Sequence, residues 1–215
     1  MTHLNTYEQL IQGEYYHIYN RGNNREDIFL EDKNYFYFLD LFKKYISPLA
    51  DLYVYCLMKN HFHLLVKIKE AGKIELKHST SEIVDKFEPE ELQKHVSRSF
   101  SNFFNAYAKA INKMYNRTGS LFQERFRRKL INKESYFTEV TFYIHANPQR
   151  HGFTNDFRNY KHSSYQSLLS HLPSLLKRDE VMDWFGGKDS FAKYHEKYRD
   201  QLLDYKFFLE HVSDD

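Results

Sequence analysis

Two histidines separated by one residue stand at the front of an apolar run, in KNHFHLLVKI at residues 59–68. Because side chains alternate along a strand, His61 and His63 project to the same face. Two imidazoles at that spacing can chelate one divalent metal ion and leave positions for a third ligand, water and a substrate oxygen. The pair alone is a weak signal, since most such pairs are ordinary surface or hydrogen-bonded histidines.

A row of polar side chains on a later helix strengthens the metal interpretation. Glu139, Tyr143 and Asn147 follow one another at intervals of four residues and therefore share one face of a predicted helix. A tyrosine can act as a covalent nucleophile, and a metal that polarises a phosphoryl oxygen would stabilise the transition state of such a displacement. The chain has 18 tyrosines, so packing is the default role of any one of them. The residues alone leave catalysis and packing both open.

The elements that would position these residues alternate in type. The pattern predicts strand, helix, hairpin, helix, strand and helix, in that order, at residues 15–20, 32–46, 51–69, 90–116, 120–131 and 134–147. The last helix is expected to end where Pro148 begins, because proline disfavours helix in the residue before it. This order predicts an α+β sandwich with a mostly antiparallel sheet and helices packed on it.

Composition indicates a globular chain. Its 215 residues are 41% hydrophobic and 18% aromatic, with only seven Gly and four Pro, which argues against extended disorder. We expect a main domain over residues 1–170, with a polar insertion at about 70–95, and a helical C-terminal extension over residues 171–215. No run approaches the roughly 20 apolar residues of a membrane span and no signal-peptide pattern is present, so a cytoplasmic location is expected.

Positive charge is concentrated in one region. Between Ser97 and Leu130 there are eight Lys or Arg and one acidic residue, interleaved with aromatic side chains. This mixture suits phosphate contact and base stacking, although most of the aromatic residues can equally belong to the core. The candidate DNA contacts flank a Gly-Asn-Asn turn or lie on alternate faces of the predicted strand at 120–131, and they are Arg21, Arg25, Arg125, Arg127, Arg128 and Lys129.

Four motifs in order resemble those of the single-tyrosine HUH transposases of the insertion-sequence kind, and within them the REP-associated tyrosine transposases. They are YYHIYNRGNNREDIF, YCLMKNHFHLLV, RTGSLFQERFRRKLI and YIHANPQRHG, and together they extend over roughly residues 14–170. The chain departs from the family pattern at Lys59, at Phe122 and in the QRHG that follows Asn-Pro. None of these departures removes a chemical group.

The resemblance implies a ferredoxin-like domain in which His61 and His63 bind Mg²⁺ or Mn²⁺ near a scissile phosphate. It also implies that Tyr143 attacks single-stranded DNA, forms a 5′-phosphotyrosine link and releases a 3′-hydroxyl. That hydroxyl can later attack the link and rejoin strands. The implied function is that of a DNA endonuclease and strand transferase.

The third metal ligand has three candidates. Asn147 occupies the position of a helix residue that completes the metal site in insertion-sequence relatives. Glu139 and His17 are rivals, since a carboxylate suits a hard cation and His17 lies on a neighbouring predicted strand. For each rival, a structural role is the simpler interpretation.

The resemblance implies a DNA target with an imperfect hairpin beside a short guide sequence. It favours a monomer, with a helix-exchanged dimer as the alternative. Two other functions stay open at this stage. One is a domesticated hairpin-binding protein with little cleavage activity, and the other is a metal hydrolase that uses water and in which Tyr143 only packs.

Overall fold

The structure is a computed structural model that describes residues 8–70, 74, 88–133 and 135–199. Within these ranges, four strands form one antiparallel sheet. In chain order they are β1 (Tyr15–Arg21), β2 (Ala50–Met58), β3 (His61–Ile68) and β4 (Arg127–Ile131). Their order across the sheet is β2-β3-β1-β4, so β3 and β1 are the central strands.

Two helices cover one face of this sheet. Helix α1 (Asp32–Tyr45) connects β1 to β2, and helix α2 (Pro89–Met114) comes between β3 and β4. A capping box between Glu31 and Asn34 starts α1, and Pro89 opens α2, where its missing N–H is no loss. The order β-α-β-β-α-β with an antiparallel sheet is the ferredoxin-like arrangement, so the predicted fold class is confirmed.

Both faces of the sheet are buried, which explains the long apolar runs in its strands. On the first face, Ile18, Phe62 and Leu64 pack with Phe38 of α1 and Phe103 of α2. Phe62 therefore points away from the face that carries His61 and His63, because neighbours along a strand alternate. The predicted hairpin is confirmed, with a two-residue turn between β2 and β3.

A second core lies on the opposite face of the sheet and is covered by α3 and the helices after it. These helices are α3 (Ser135–Arg150), α4 (Tyr165–Leu169), α5 (Arg178–Phe185) and α6 (Lys188–Arg199). The ring of Trp184 in α5 stacks on Tyr53 of β2 and on Phe137 of α3, with centroid distances of 5.1 Å and 4.7 Å. The part of the predicted C-terminal extension up to residue 199 thus packs on the same sheet face as α3.

Two buried histidines join α3 to α6. His145 Nδ1 lies 3.0 Å from His195 Nε2, and His195 Nδ1 lies 2.8 Å from the carbonyl oxygen of Phe191. Since a carbonyl can only accept, His195 carries its proton on Nδ1 and accepts at Nε2 the proton of His145 Nδ1. The other nitrogen of His145 lies 2.8 Å from the Ser164 hydroxyl oxygen, which also donates to the Tyr55 carbonyl at 3.2 Å. All three side chains are completely buried, and one chain of hydrogen bonds links them.

The end of α3 differs from the prediction. The helix does not stop before Pro148 but continues to Arg150. A proline in the last turn removes one backbone hydrogen bond there. The turn is held beyond it by bonds from His151 N–H to the Asn147 carbonyl and from Phe153 N–H to the Pro148 carbonyl.

Two other boundaries also differ from the prediction. Only Arg127–Ile131 of the stretch 120–131 forms a strand, because Arg125 adopts a left-handed conformation with φ of 56° just before it. Helix α2 begins at Pro89, inside the predicted insertion, whose residues 71–73 and 75–87 lie outside the described ranges.

The C-terminal extension is helical as predicted over the residues that the structure describes, and residues 200–215 fall outside them. The domain boundary at residue 170 stays a prediction. Of the helices described here, none is long and apolar enough to cross a membrane.

Candidate active site

The two predicted metal ligands lie on the sheet face that α3 covers. In the register of β1 against β3, Arg21 stands opposite His61 and Tyr19 opposite His63, so all four side chains share that face. His61 is 7% exposed and His63 is 5% exposed. A strand with a histidine pair can be buried because a second helical layer covers its polar face.

Each of these histidines makes a hydrogen bond through Nδ1. His61 Nδ1 lies 2.6 Å from Asn60 Oδ1, and His63 Nδ1 lies 2.9 Å from Nε2 of His17 on β1. The rings of His17 and His63 are stacked, with centroids 5.0 Å apart. In both predicted ligands the hydrogen bond engages Nδ1, and Nε2 is the nitrogen to consider for a metal.

Burial keeps these imidazoles neutral. It lowers the pKa of His61 to about 3, and the charges of His151 and Arg21 add to the effect. Burial also lowers the pKa of His63 well below its usual value, with His17 and His61 contributing next. The neutral imidazole is the form that binds a metal ion, so the pair is ready to act as ligands at neutral pH.

Helix α3 brings the predicted nucleophile to the histidines. The Tyr143 ring meets the His63 ring edge to face, with centroids 5.6 Å apart and planes at 84°. It meets the His17 ring in the same manner at 5.9 Å. Tyr143 is 8% exposed. The structure therefore places Tyr143 and His63 side by side, although 80 residues of chain separate them.

Asn147 lies one helical turn after Tyr143 and is completely buried. Its Nδ2 donates to the Tyr143 carbonyl at 3.0 Å, and its Oδ1 is buried with no hydrogen-bond partner among the described residues. A buried acceptor without a partner costs about 1–3 kcal/mol and is uncommon in folded proteins. Such an oxygen is a suitable third ligand for a divalent cation.

The two rivals of Asn147 have other contacts. The Nε2 of His17 is engaged with His63, while its Nδ1 is buried without a hydrogen-bond partner among the described residues. Glu139 lies close enough to Tyr194 of α6 to add to the raised pKa of that phenol, which burial causes in the main. The described ranges contain no group of three His, Cys, Asp or Glu side chains that could hold a metal ion. The imidazoles of His61 and His63 fit Mn²⁺ better than Mg²⁺, and the third ligand stays a prediction.

The structure adds two residues that the sequence interpretation missed. The Arg150 guanidinium lies over the Tyr143 ring, 5.3 Å from its centroid. The His151 ring is edge-on to the His61 ring at 4.9 Å. Both come about two helical turns after Tyr143, with Arg150 at the last position of α3 and His151 in the turn that follows it. Arg150 and His151 belong to the QRHG motif, but they were not considered because the helix was expected to end before Pro148.

The basic residues of β4 divide between the two faces of the sheet. Arg127 stands opposite Tyr19 and Lys129 opposite His17, which places both on the histidine face. Arg128 points to the other face, where its Nη1 donates to Ser97 Oγ of α2 at 3.1 Å. The predicted DNA contacts on this strand therefore do not form one surface.

The remaining predicted DNA contacts lie at the end of the sheet where β1 finishes. Arg21 is opposite His61 and has a buried Nε without a hydrogen-bond partner among the described residues. Arg25 and Arg125 are exposed, and each adopts a left-handed conformation, with φ of 62° and 56°. Their two loops are joined by a bridge between Gly22 and Phe122. Left-handed conformations in non-glycine residues are strained and cluster at functional sites.

The fold and site together define an α+β protein in which a four-stranded antiparallel sheet presents a histidine pair to a tyrosine on a covering helix. No family model matches the chain, and no curated protein matches it significantly. Among solved structures, a REP-associated tyrosine transposase bound to a REP hairpin aligns with 87% of this chain and 98% of its own, with a TM-score of 0.56 and 16% sequence identity. At this identity the likeness shows a shared fold.

Proposed function

We propose that this protein is a metal-dependent single-strand DNA endonuclease and strand transferase of the transposase type, which cuts beside hairpin DNA through a 5′-phosphotyrosine link. The observation that carries the proposal is the contact between the rings of Tyr143 and His63, 5.6 Å apart between centroids. A tyrosine that only packed would not require neutral metal-binding side chains beside it. The shared fold with a transposase that was solved with a hairpin supports the choice of substrate.

In the proposed reaction, the phenolic oxygen of Tyr143 attacks a phosphodiester in single-stranded DNA. A P–O bond to the tyrosine forms as the P–O bond to the 3′-oxygen breaks, the phenol loses its proton and the departing oxygen gains one. One phosphodiester replaces another, so the released 3′-hydroxyl can attack the phosphotyrosine and rejoin strands without an external energy source.

The ligand set proposed for the metal is His61 and His63 through their Nε2 atoms, with Asn147 Oδ1 as the third protein ligand. A divalent ion held there supplies polarisation of a phosphoryl oxygen. The neutral state of the two imidazoles and the missing hydrogen bond of the Asn147 oxygen support this assignment.

Two arginines of the chain act on the same reaction in this proposal. The Arg150 guanidinium over the Tyr143 ring favours the negative charge that the phenol oxygen develops as its proton leaves. Arg21, opposite His61, has a buried Nε that can donate to a phosphate oxygen. Both cations lie at the end of the sheet face where the scissile phosphate has to bind.

The proposed path of the DNA follows the other basic residues of this face. Arg127 and Lys129 share the face with the histidines, while Arg25 and Arg125 are exposed on adjoining loops at the end of β1. Phosphate contacts of this kind fix the position of a strand without reading its bases. The hairpin would be held by these contacts while its single-stranded flank enters the site.

The experiment that tests the proposal follows a covalent adduct. A pool of imperfect hairpin oligonucleotides with randomised single-stranded flanks is incubated with the full chain and Mn²⁺ or Mg²⁺, then resolved on a denaturing gel. The DNA carries a 3′ label, because the fragment downstream of the cut is the one that stays on a 5′-phosphotyrosine. The variants are Tyr143→Phe and, as a matched control on the same helix, Tyr136→Phe.

We expect a labelled band at the mass of the protein for the unmodified chain and for Tyr136→Phe, and none for Tyr143→Phe. The expected cause is loss of the attacking oxygen with the ring retained. An adduct that persists in Tyr143→Phe would end the assignment of the nucleophile. Cut DNA without an adduct would indicate a hydrolase that uses water, and binding without either product would indicate a hairpin-binding protein that does not cut.

A further inference from the structure

The Nδ1 of His63 lies within hydrogen-bond distance of His17, a residue of β1 that is not in the proposed ligand set. We infer that His17 is a positioning residue: it accepts the Nδ1 proton of His63 and so holds the His63 ring with Nε2 free to bind a divalent cation. The inference rests on the proposed function, since it concerns the same metal site.

The geometry ties the two rings closely together. His17 Nε2 and His63 Nδ1 are 2.9 Å apart, and the rings stack with planes at 19°. Both belong to the central strands of the sheet, where β1 pairs with β3, and His17 is completely buried. Neither ring can rotate without losing this hydrogen bond inside the core.

If His17 and His63 are both neutral, each carries one ring proton, and their hydrogen bond can form in two ways. In one, His63 carries its proton on Nδ1 and donates to His17, and the Nε2 lone pair of His63 is available. In the other, His17 donates from Nε2, and His63 must carry its own proton on Nε2, where it would block a metal. Only the first arrangement is compatible with metal binding through Nε2, and in it His17 is the acceptor.

A packing role alone does not account for a histidine at this position. His17 Nδ1 is buried without a hydrogen-bond partner among the described residues, which destabilises the folded protein. The surrounding groups are the rings of Tyr19 and Tyr143 and, across from it on β4, Lys129. An aromatic hydrocarbon side chain such as Phe would pack among these rings without that cost, so the nitrogen that faces His63 is the feature that distinguishes histidine here.

The first test is the affinity of the full chain for Mn²⁺, measured from the free-ion electron paramagnetic resonance signal, for the unmodified protein, His17→Phe and His17→Gln. We expect His17→Phe to bind Mn²⁺ about 10- to 100-fold more weakly, the usual effect of removing a hydrogen-bond partner from a metal ligand. We expect His17→Gln to recover most of the loss, because a carboxamide oxygen can also accept from His63. Thermal unfolding of each variant reports whether the fold is kept.

The second measurement uses the unmodified protein and so does not depend on the folding of a variant. Ring ¹⁵N chemical shifts of His63, with Zn²⁺ as a diamagnetic probe, report which nitrogen carries the proton. We expect the proton on Nδ1 already before Zn²⁺ is added, because His17 Nε2 accepts it there, and no change of the protonated nitrogen when Zn²⁺ binds. A proton on Nε2 would overturn the inference.

The outcomes separate this inference from the proposed function. Equal Mn²⁺ affinity in the unmodified protein and in a folded His17→Phe would overturn the role of His17 and leave the metal site standing. Failure of the unmodified protein to bind Mn²⁺ would overturn both.

Discussion

Acidification is expected to destabilise this protein, and the buried pair of His145 and His195 accounts for a defined part of the loss. Burial lowers the pKa of His195 to about 4 and that of His145 well below its usual value, with the neighbouring ring adding to the latter shift. Below a pH of about 6.5 the unfolded chain takes up protons on these residues while the folded chain does not. Stability therefore falls as the pH falls through this window.

The loss in the free energy of unfolding depends on how far the pH lies below the pKa of histidine in the unfolded chain. At pH 5, about 1.5 units below the unfolded pKa, each resisted protonation costs about 2 kcal/mol, since one unit corresponds to about 1.36 kcal/mol. For His195 this amounts to about 2 kcal/mol between pH 7.5 and pH 5, and His145 adds to the loss in the same direction. That is a large share of the roughly 5–15 kcal/mol by which domains are stable. Both rings are completely buried, so a charge on either of them would be far from water.

Urea unfolding at pH 7.5 and pH 5, followed by far-ultraviolet circular dichroism, measures the effect. The quantity of interest is the difference between the two free energies of unfolding, because His195→Gln also changes stability at both pH values. We expect this difference to shrink by about 2 kcal/mol in His195→Gln. His171→Gln removes an exposed histidine and serves as the control.

Two results would refute this reasoning. One is a free energy of unfolding that is the same at both pH values in the unmodified protein. The other is a His195→Gln variant that keeps the whole pH-dependent difference, which would mean that this residue is protonated equally in the folded and unfolded chain.

Three further predictions test other parts of the structure. Arg150→Gln should slow DNA cleavage about 2- to 30-fold, which corresponds to a cation–π energy of about 0.5–2 kcal/mol, with DNA affinity less affected in a filter-binding assay. Replacing Arg127 and Lys129 together by Ala should reduce the slope of log affinity against log salt by about 1.4, whereas Arg128→Ala, on the opposite face, should leave the slope unchanged. Gly22→Ala should cost about 1–3 kcal/mol in urea unfolding, because a Cβ there would stand 2.0 Å from a backbone oxygen.

The sheet and its first two helices could be predicted from the sequence because they depend on short-range patterns. Alternating or continuous apolar residues over β1, β2 and β3 and the amphipathic pattern of α1 report burial directly. The neighbourhood of His61 and His63 also follows from strand alternation. The sequence pattern does not predict that α3 covers the histidine face of the sheet, because local patterns do not specify which helix packs on which face.

Only the local part of the candidate site could be predicted, because spacing along one helix is visible in the sequence and packing between elements is not. The helical interval between Tyr143 and Asn147 is local, but the roles of Arg150 and His151 depended on whether the helix passes Pro148. That outcome was decided by backbone bonds beyond the proline. The pairing of His17 with His63 depends on the register of β1 against β3, which a single sequence does not specify.

The link between α3 and α6 also has a consequence during synthesis of the chain. His195 follows His145 by 50 residues, so at a translation rate of about 5–20 residues per second the tyrosine helix leaves the ribosome about 3–10 s before its partner on α6. During that interval the far side of α3 lacks α6 and the hydrogen bond from His145. A nascent chain therefore carries the nucleophile candidate before the core on the far side of its helix is complete.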